Sequence, residues 1–157
     1  PSAIILDTMN YWIENFWETV KEVISKVDII SINDEESEMI TGHKDLSEAA
    51  GVLHSMGPKY VIIKKGKNGA ELFNYKKRYV TGAFEVDKVI DPTGAGDCFI
   101  GGISGFLSQS DEISFESIKL AIDYGTSLAS FNVEEMGTKN LLNLTMNDLQ
   151  TRVNKLK

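Results

Sequence analysis

Cysteine and long apolar runs are both scarce in this sequence. Its one cysteine, Cys98, cannot form a disulfide within the chain, which agrees with a reducing compartment. No stretch approaches the roughly 18 consecutive apolar residues that a transmembrane helix needs. The first ten residues also lack a basic segment ahead of an apolar one, so they do not resemble a signal peptide. We therefore expect a cytoplasmic protein without a membrane partner.

Positive charge is also in short supply. The 157 residues contain 16 Lys and Arg against 23 Asp and Glu, which gives a formal net charge of -7. Nucleic acids and anionic membranes are bound through clustered positive charge, so this balance argues against both and favours a small-molecule partner. The 42% hydrophobic content is sufficient for a sizeable core. We expect residues 1–157 to form a single domain.

The first part of the chain alternates between short apolar runs and segments with helical periodicity. Strands are predicted at residues 3–7, 28–33 and 60–66, and helices at 11–27, 34–42 and 46–56. Gly42 and Gly57 are the predicted helix stops. This alternation favours an α/β doubly wound fold, with a mainly parallel sheet covered by helices on both faces.

The spacing of apolar residues changes in the second part of the chain. Residues 70–91 alternate between apolar and polar residues around a Lys-Lys turn and have no helical period, which predicts strands. Helical periodicity returns at residues 95–110, 114–133 and 145–157. The sequence contains no internal repeat or linker.

The segment DPTGAGDCFIGG at residues 91–102 carries the strongest chemical signal. It places a glycine-rich turn between an extended segment and a helix that begins at Asp97. Backbone N–H groups at a helix N-terminus attract anions, and small residues leave them accessible. An acidic residue beside such a site suits a base that takes a proton from an attacking hydroxyl, as phosphoryl transfer requires. A simple tight turn with an Asp helix cap is the alternative.

Two other phosphate-binding motifs do not fit the sequence. The dinucleotide fingerprint G-x-G-x-x-G would need glycine at position 99, where the chain has Phe99, so an NAD-dependent oxidoreductase is disfavoured. The sequence G-x-x-x-x-G-K-[ST] occurs nowhere in the chain.

Residues 91–102 resemble the second signature of the PfkB (ribokinase) family of carbohydrate and nucleoside kinases, D-[PT]-[TV]-G-A-G-D-x-F-x-G-[AG]. The resemblance implies a ribokinase-like fold and an ATP-dependent kinase. It also implies that Gly94, Ala95 and Gly96 form an anion hole for the γ-phosphate of ATP. Asp97 would then deprotonate the acceptor hydroxyl.

The segment NDEE at residues 33–36 resembles the N-x-x-E motif of that family. By the resemblance, Asn33 and Glu36 organise magnesium and the ATP phosphates. Hard oxygen ligands suit Mg²⁺, usually through water. On spacing alone, an ordinary helix cap with first-turn acids explains the same residues.

Two further segments match the family in order. KKGKNGAELF resembles the [TK]-x-G-x-x-G-A segment beside the nucleotide, which maps to Lys64, Gly66 and Gly69. A solvated lysine at a strand end is the alternative for Lys64. SLASFNVEEMGT resembles the loop on the adenine side, where Asn132 and Gly137 are candidates.

Asp91 and Thr93 match positions that hold a monovalent cation, such as K⁺, in some relatives of the family. A turn residue and its hydroxyl neighbour explain the pair equally well. The segment from Asp7 to Trp12 lacks the arginine that several sugar-acid kinases carry there. The resemblance therefore leaves open which sugar or nucleoside accepts the phosphate.

The resemblance covers only the C-terminal half of a family about twice this length. We expect the N-terminal half, with the sugar pocket and lid, to lie outside this chain, and the isolated chain to be inactive as a kinase. For the full-length protein, a homodimer is among the expected assemblies. A non-catalytic nucleotide-binding or regulatory module of the same fold is the alternative function.

We expect structural roles for the other reactive or aromatic residues. His43 and His54 have no metal-ligand partners at suitable spacing, so we expect solvent-facing positions rather than a zinc site. Cys98 is expected to act as a small buried hydrophobe. Core or interface packing is expected for the aromatic residues of the first helix, which are Trp12, Phe16 and Trp17.

Overall fold

The computed structural model of the protein describes residues 3–156. Within it the chain forms two compact units, Pro1–Thr81 and Gly82–Lys157. The expectation of a single domain over residues 1–157 stays a prediction.

The first unit is a five-stranded sheet with helices in its crossovers. Its elements are β1 (Ile5–Asp7), α1 (Asn10–Asn15), α2 (Trp17–Ile24), β2 (Ile29–Asn33), α3 (Asp34–Thr41), α4 (Leu46–Met56), β3 (Tyr60–Lys64), β4 (Ala70–Phe73) and β5 (Arg78–Thr81). The strand order is β1-β2-β3-β4-β5. The β1–β2 and β2–β3 pairs are parallel, whereas β3–β4 and β4–β5 are antiparallel. The predicted alternation of strands and helices is confirmed.

The core of this unit lies on one face of the sheet. Helices α2 and α4 pack there through a cluster made of Val20, Ile24, Ala50 and Leu53 against Ile30, Ile32, Val61, Ile63 and Phe73. On the opposite face, Ile29, Ser31 and Ile62 are also fully buried. Burial on both faces explains why the parallel strands read as continuous apolar runs rather than as alternating ones.

The predicted helix stops at Gly42 and Gly57 are confirmed. Gly57 follows α4 with φ of 147°, a conformation that L side chains rarely adopt. A Cβ atom at this position would lie 2.9 Å from the Cα of Ser25. The close backbone approach therefore requires glycine here.

The predicted helix over residues 11–27 is wrong in one respect, because it is broken at Phe16. The backbone of Phe16 (φ -139°, ψ 39°) leaves the helical region, and the segment becomes α1 and α2. Trp12 and Phe16 are each 47% exposed, so core packing of these two side chains is not observed. Instead they contact each other and Tyr11, with ring centroids 5.2 to 6.0 Å apart. Trp17, by contrast, packs against the core.

The expectation for the two histidines is half right. His43 is exposed and contacts Glu48, at 3.0 Å from Nδ1 to Oε2. His54 is buried rather than solvent-facing. The reason is that α4 turns this side of the helix toward β4 and the turn that follows it, where His54 stacks on Tyr75.

The second unit is helical. It contains α5 (Ala95–Leu107), α6 (Phe115–Val133) and α7 (Met146–Lys155), which confirms the three predicted helices. The predicted strand pattern ends at Thr81, and residues 82–91 contain no strand in the structure. Alternation alone misled the prediction there, because it cannot show whether a neighbouring strand is present to pair with. Within residues 3–156, no helix combines the length and apolar character needed to cross a membrane.

Helices α5 and α6 pack so closely that their backbones are in contact. A Cβ atom added at Gly102 would lie 2.7 Å from the Cα of Gly125, and one added at Gly125 would lie 2.5 Å from the carbonyl oxygen of Phe99. The two glycines thus permit the close approach of the helices. Because α5 begins at the glycine-rich turn, this contact also sets the position of that turn within the unit.

We predict opposite effects for alanine at two glycines of α5. Gly102→Ala should destabilise the protein by about 1–3 kcal/mol, because the methyl group overpacks the contact with α6. Gly105→Ala is the matched control: its Cβ meets no atom within 4 Å, so the higher helix propensity of alanine should stabilise by about 0.5–1 kcal/mol. Urea denaturation measures both. Equal stabilities would show that α5 and α6 can separate without cost.

Candidate active site

The glycine-rich turn forms the N-terminus of α5 in the second unit. Gly94 is the N-cap in the left-handed conformation (φ 81°), and no side chain caps the helix. Ala95 N–H donates to the Pro92 carbonyl at 3.2 Å. Within residues 3–156, the amides of Gly96 and Asp97 have no hydrogen-bond acceptor. Such amides at a helix N-terminus attract an anion.

The buried side chain of Asn132 supports this turn from α6. Its Nδ2 donates to the Thr93 carbonyl at 2.8 Å, and its Oδ1 accepts from the Cys98 thiol at 3.4 Å. Asn132 is 1% exposed and lies under Gly94, where a Cβ atom would be 3.7 Å from its Oδ1. Both ends of the amide are thus engaged in holding the turn. A nucleotide contact of Asn132 stays a prediction.

Asp91 joins two loops beside the turn. Its Oδ1 accepts from the Thr93 amide at 3.0 Å, and its Oδ2 accepts from the Gly137 amide at 3.4 Å. Hydrogen bonds from Thr93 and then from Gly137 hold the pKa of Asp91 below its usual range. Gly137 adopts φ of 60°, which suits glycine at this turn. The structure therefore brings Asp91, Thr93 and Gly137 together beside the glycine turn, while the predicted cation and nucleotide roles of these residues stay predictions.

Asp97 and Cys98 occupy the first turn of α5. Asp97 is exposed, while Cys98 is half-buried. Burial, with a smaller contribution from the negative charge of Asp97, raises the pKa of the Cys98 thiol. The thiol therefore stays protonated and acts as a hydrogen-bond donor to Asn132. Asp97 is the exposed acidic side chain next to the unsatisfied amides.

A second cluster lies in the first unit, at the carboxyl ends of its parallel strands. Asp7 ends β1, Asn33 ends β2 and Lys64 ends β3, with Asn33 and Lys64 opposite each other in the sheet. Lys64 Nζ contacts Asp7 Oδ1 at 2.9 Å and Oδ2 at 3.1 Å. Their side chains are 17% and 22% exposed. The alternative of a solvated Lys64 is therefore wrong.

Glu36 combines a helix cap with burial. Asn33 Oδ1 accepts from the Glu36 amide at 2.7 Å, and Glu36 Oε2 accepts from the Asn33 amide at 2.8 Å, which is a complete capping box. Glu36 is 4% exposed. Burial raises the pKa of Glu36, and it outweighs the opposing effects of the Asn33 hydrogen bond and of Lys64. A first-turn acid that only caps a helix has no need of such burial.

Gly66 and Gly69 form the turn between β3 and β4. Both have positive φ, 54° and 85°, and the turn closes with Lys65 N–H donating to the Gly69 carbonyl at 2.7 Å. Because this turn follows Lys64 directly, it lies at the same end of the sheet, where the parallel strands have their carboxyl ends. Lys65 Nζ is bound to Glu71 at 2.8 Å. Glu71 is buried and also accepts from Arg78.

The predicted site residues thus form two clusters, one in each unit. Asn33, Glu36 and Lys64 meet in the first unit, followed by the turn with Gly66 and Gly69. The second unit gathers the remaining residues, which are Asp91, Thr93, Gly94, Ala95, Gly96, Asp97, Asn132 and Gly137. Asp7 was missed by the sequence analysis. The available signal was its place as a carboxylate at the end of an apolar run.

These features define an α/β protein with a glycine-rich turn at a helix N-terminus and a charged cluster at the carboxyl ends of parallel strands. Residues 3–145 match the model of the pfkB family of carbohydrate kinases. The chain therefore belongs to the pfkB carbohydrate kinase family, as the sequence predicted.

Two curated relatives are about one third identical to the chain over the residues that align. It is 32% identical over 107 residues to the cytidine kinase of Thermococcus kodakarensis, covering 68% of this chain and 38% of that protein. It is 32% identical over 123 residues to the ribokinase of Staphylococcus aureus, covering 75% and 39%. The chain thus spans about two fifths of the length of these relatives.

Solved structures confirm the fold class. Aminoimidazole riboside kinase from Salmonella enterica matches with a TM-score of 0.80 and 22% identity, covering 95% of this chain and 50% of that one. A putative ribokinase II from E. coli matches with a TM-score of 0.78 and 20% identity, covering 98% and 48%. The predicted ribokinase-like α/β fold is therefore confirmed.

We predict that Glu36→Gln changes the free energy of unfolding, relative to the wild type, more favourably at neutral pH than at acidic pH. Because burial raises the pKa of Glu36, its protonation stabilises the fold, and this contribution is lost as pH rises through the folded pKa. Glutamine retains a capping oxygen without the charge. Urea denaturation from acidic to neutral pH measures the effect, with Glu35→Gln at the exposed neighbouring position as control. Identical pH profiles of the two variants would contradict the buried charge.

Proposed function

We propose that this chain is the nucleotide-binding and catalytic part of a kinase that transfers the γ-phosphate of ATP to a hydroxyl of a sugar or nucleoside. The observation that carries the proposal is the turn from Gly94 to Asp97. Two amides without acceptors and an exposed carboxylate share the first turn of one helix. A plain helix cap would use the carboxylate to satisfy these amides, and no side-chain cap is present at this helix.

In the proposed reaction, Asp97 accepts the proton of the acceptor hydroxyl while its oxygen attacks the γ-phosphorus. The bond from that phosphorus to the bridging oxygen breaks, and ADP leaves with the electron pair. The anion hole at Gly94, Ala95 and Gly96 stabilises the negative charge on the transferred group, and the amides of Gly96 and Asp97, which have no acceptor, are its available donors. Support from Asn132 keeps these donors in place before substrate arrives.

Magnesium fits the cluster in the first unit. Mg²⁺ prefers hard oxygen ligands and retains several waters, and Asn33 and Glu36 offer an amide and a carboxylate for such a shell. A nearby divalent cation would also offset the burial that raises the pKa of Glu36. The E. coli putative ribokinase II was solved in complex with ATP and Mg²⁺. When bound, the metal neutralises phosphate charge; the chain's own residues orient its water shell.

We assign Lys64 the binding of a phosphate oxygen, as a point charge. Its ammonium is held by both oxygens of Asp7, so it is oriented in advance. Gly66 and Gly69 allow a nucleotide to approach the backbone of the adjoining turn, because a glycine has no side chain to block it. We assign Asp7 a positioning role in this arrangement.

A monovalent cation such as K⁺ is proposed at Asp91 and Thr93. Hydrogen bonds that lower the pKa of Asp91 keep its carboxylate charged. A fructokinase from Vibrio cholerae was solved with fructose, ADP and potassium ion bound. The hydrogen bonds of Asp91 to Thr93 and Gly137 already hold the turn together. The cation would bind to this turn without being needed to form it.

The acceptor class follows from the relatives. Two of them are named as kinases of cytidine and of ribose, and others as fructokinases. A sugar or nucleoside hydroxyl is therefore the proposed acceptor. Sugar acids are disfavoured because no arginine occurs between Asp7 and Trp12. A homodimer of the full-length protein remains part of the proposal.

We predict that the chain binds Mg-ATP and that Gly96→Val weakens this binding by roughly tenfold or more. Valine places a branched side chain at the mouth of the turn, where phosphate must approach the amides. Calorimetric titration of the isolated chain measures the affinity. Absence of binding at millimolar nucleotide would overturn the nucleotide site, and rapid sugar phosphorylation by the isolated chain would overturn the expectation of its inactivity.

We predict that Asp97→Asn lowers kcat by about 10² to 10⁴ while ATP affinity is kept. The amide is nearly isosteric but cannot accept the hydroxyl proton. Steady-state kinetics on the protein from the complete reading frame, with ribose, fructose and cytidine as acceptors, measure kcat. Asp111→Asn, at an exposed loop position after α5, is the control. An unchanged kcat in Asp97→Asn would return Asp97 to a helix-cap role, as the alternative of a non-catalytic nucleotide-binding module requires.

A further inference from the structure

Cys98 lies one helical turn after the start of the glycine-rich turn and is tied to it by its backbone. Its amide donates to the Gly94 carbonyl at 2.9 Å. Side chains of a helix lean toward its N-terminus, which directs the thiol of Cys98 back toward Gly94. The family signature leaves position 98 open, and the reaction proposed above gives Cys98 no role.

The thiol of Cys98 contacts one end of the buried Asn132 amide. Its Sγ lies 3.4 Å from Oδ1, while Nδ2 of the same amide lies 2.8 Å from the Thr93 carbonyl. A carbonyl oxygen only accepts, so Nδ2 faces Thr93 and Oδ1 is the end that needs a donor. Among residues 3–156, Cys98 is the donor that Oδ1 receives.

The Cys98 thiol is protonated and can therefore donate. Burial raises its pKa, and the negative charge of Asp97 adds to this effect. A thiol is a weak donor, but Asn132 is only 1% exposed, so water cannot easily take its place. Removal of the thiol would leave a buried acceptor unsatisfied, which costs more free energy than the hydrogen bond itself contributes.

Loss of this donor would allow Asn132 to leave the Thr93 carbonyl. An amide with an unsatisfied buried oxygen gains free energy by rotating toward another donor or toward solvent. The peptide between Thr93 and Gly94 could then rotate, because Gly94 has φ of 81° and no Cβ atom to restrict it. The amides of Gly96 and Asp97, which follow in the same turn, would lose their fixed direction.

We propose that Cys98 is a positioning residue for phosphate binding, because through Asn132 it fixes the direction of the Gly96 and Asp97 amides. The inference rests on the proposed function, since it assigns Cys98 a part in preparing the phosphate site of that kinase. The thiol contacts neither phosphate nor acceptor. Its effect passes through the Asn132 side chain and the Thr93 carbonyl.

Two substitutions at position 98 separate the hydrogen bond from side-chain packing. Cys98→Ala should weaken Mg-ATP binding by this chain about three- to tenfold, the range that corresponds to one hydrogen bond. Cys98→Ser keeps a donor of similar size and should restore the affinity. Ile103→Val, at a fully buried position of α5, should lower the urea midpoint without changing affinity. Equal affinities of Cys98→Ala and the wild type, or equal losses in the alanine and serine variants, would overturn the proposal.

A double-mutant cycle tests whether Cys98 acts through Asn132. Calorimetric titration with Mg-ATP compares Cys98→Ala, Asn132→Ala and the double variant. If the effect passes through the amide, Cys98→Ala should weaken binding in the wild-type background and have no further effect once Asn132 is alanine. Additive losses would show that the two residues act independently, and the proposed route would then be wrong.

Hydrogen exchange at Ala95 reports on the turn without any nucleotide. The Ala95 amide donates to the Pro92 carbonyl. Its exchange should accelerate in Cys98→Ala but not in Cys98→Ser, relative to amides at the centre of α6. Unchanged exchange in Cys98→Ala would overturn the role of Cys98 alone and leave the kinase proposal standing. Absence of Mg-ATP binding by the unsubstituted chain would instead overturn the nucleotide site, and this inference with it.

Discussion

The hydrogen bond from the Asn132 side chain to the Thr93 carbonyl holds the glycine turn against α6. A turn with unsatisfied amides is costly to keep, and its own hydrogen bonds, from Ala95 to Pro92 and from Thr93 to Asp91, leave the amides of Gly96 and Asp97 without acceptors. Asn132 is buried, and its other end accepts from Cys98, so the amide cannot easily rotate away. The α5–α6 contact at Gly102 and Gly125 brings that side chain within reach. The proposed catalytic turn thus depends on helix packing about two turns away.

Buried charges hold together the cluster in the first unit. Lys64 is paired with Asp7, and Glu36 lies near both while closing the capping box of α3. The result is a carboxylate whose burial raises its pKa, at the edge where parallel strands present their carboxyl ends. Proteins tolerate such costs mostly at functional sites. Capping of α3 and the proposed role of Glu36 at magnesium are therefore compatible, because the same side-chain position suits both.

Local signals predicted most of the fold. The glycine stops, the buried strands and the three helices of the second unit depend on patterns of neighbouring residues, and those predictions are confirmed. Three features could not be derived this way. The break at Phe16 and the absence of strands over residues 82–91 in the structure depend on tertiary packing and strand pairing, and so does the burial of His54 beneath Tyr75. The glycine turn was found because its chemistry is local, whereas Asp7 was missed because its partner lies 57 residues away.

The placement of the aromatic residues has a consequence for spectroscopy. The chain has two tryptophans, Trp12 and Trp17, and both belong to the first unit. Trp17 packs against the core of that unit, while Trp12 is 47% exposed. Tryptophan emission therefore reports on the sheet unit, whereas far-ultraviolet circular dichroism also senses α5, α6 and α7. Melting curves recorded by the two signals will coincide only if the two units unfold cooperatively.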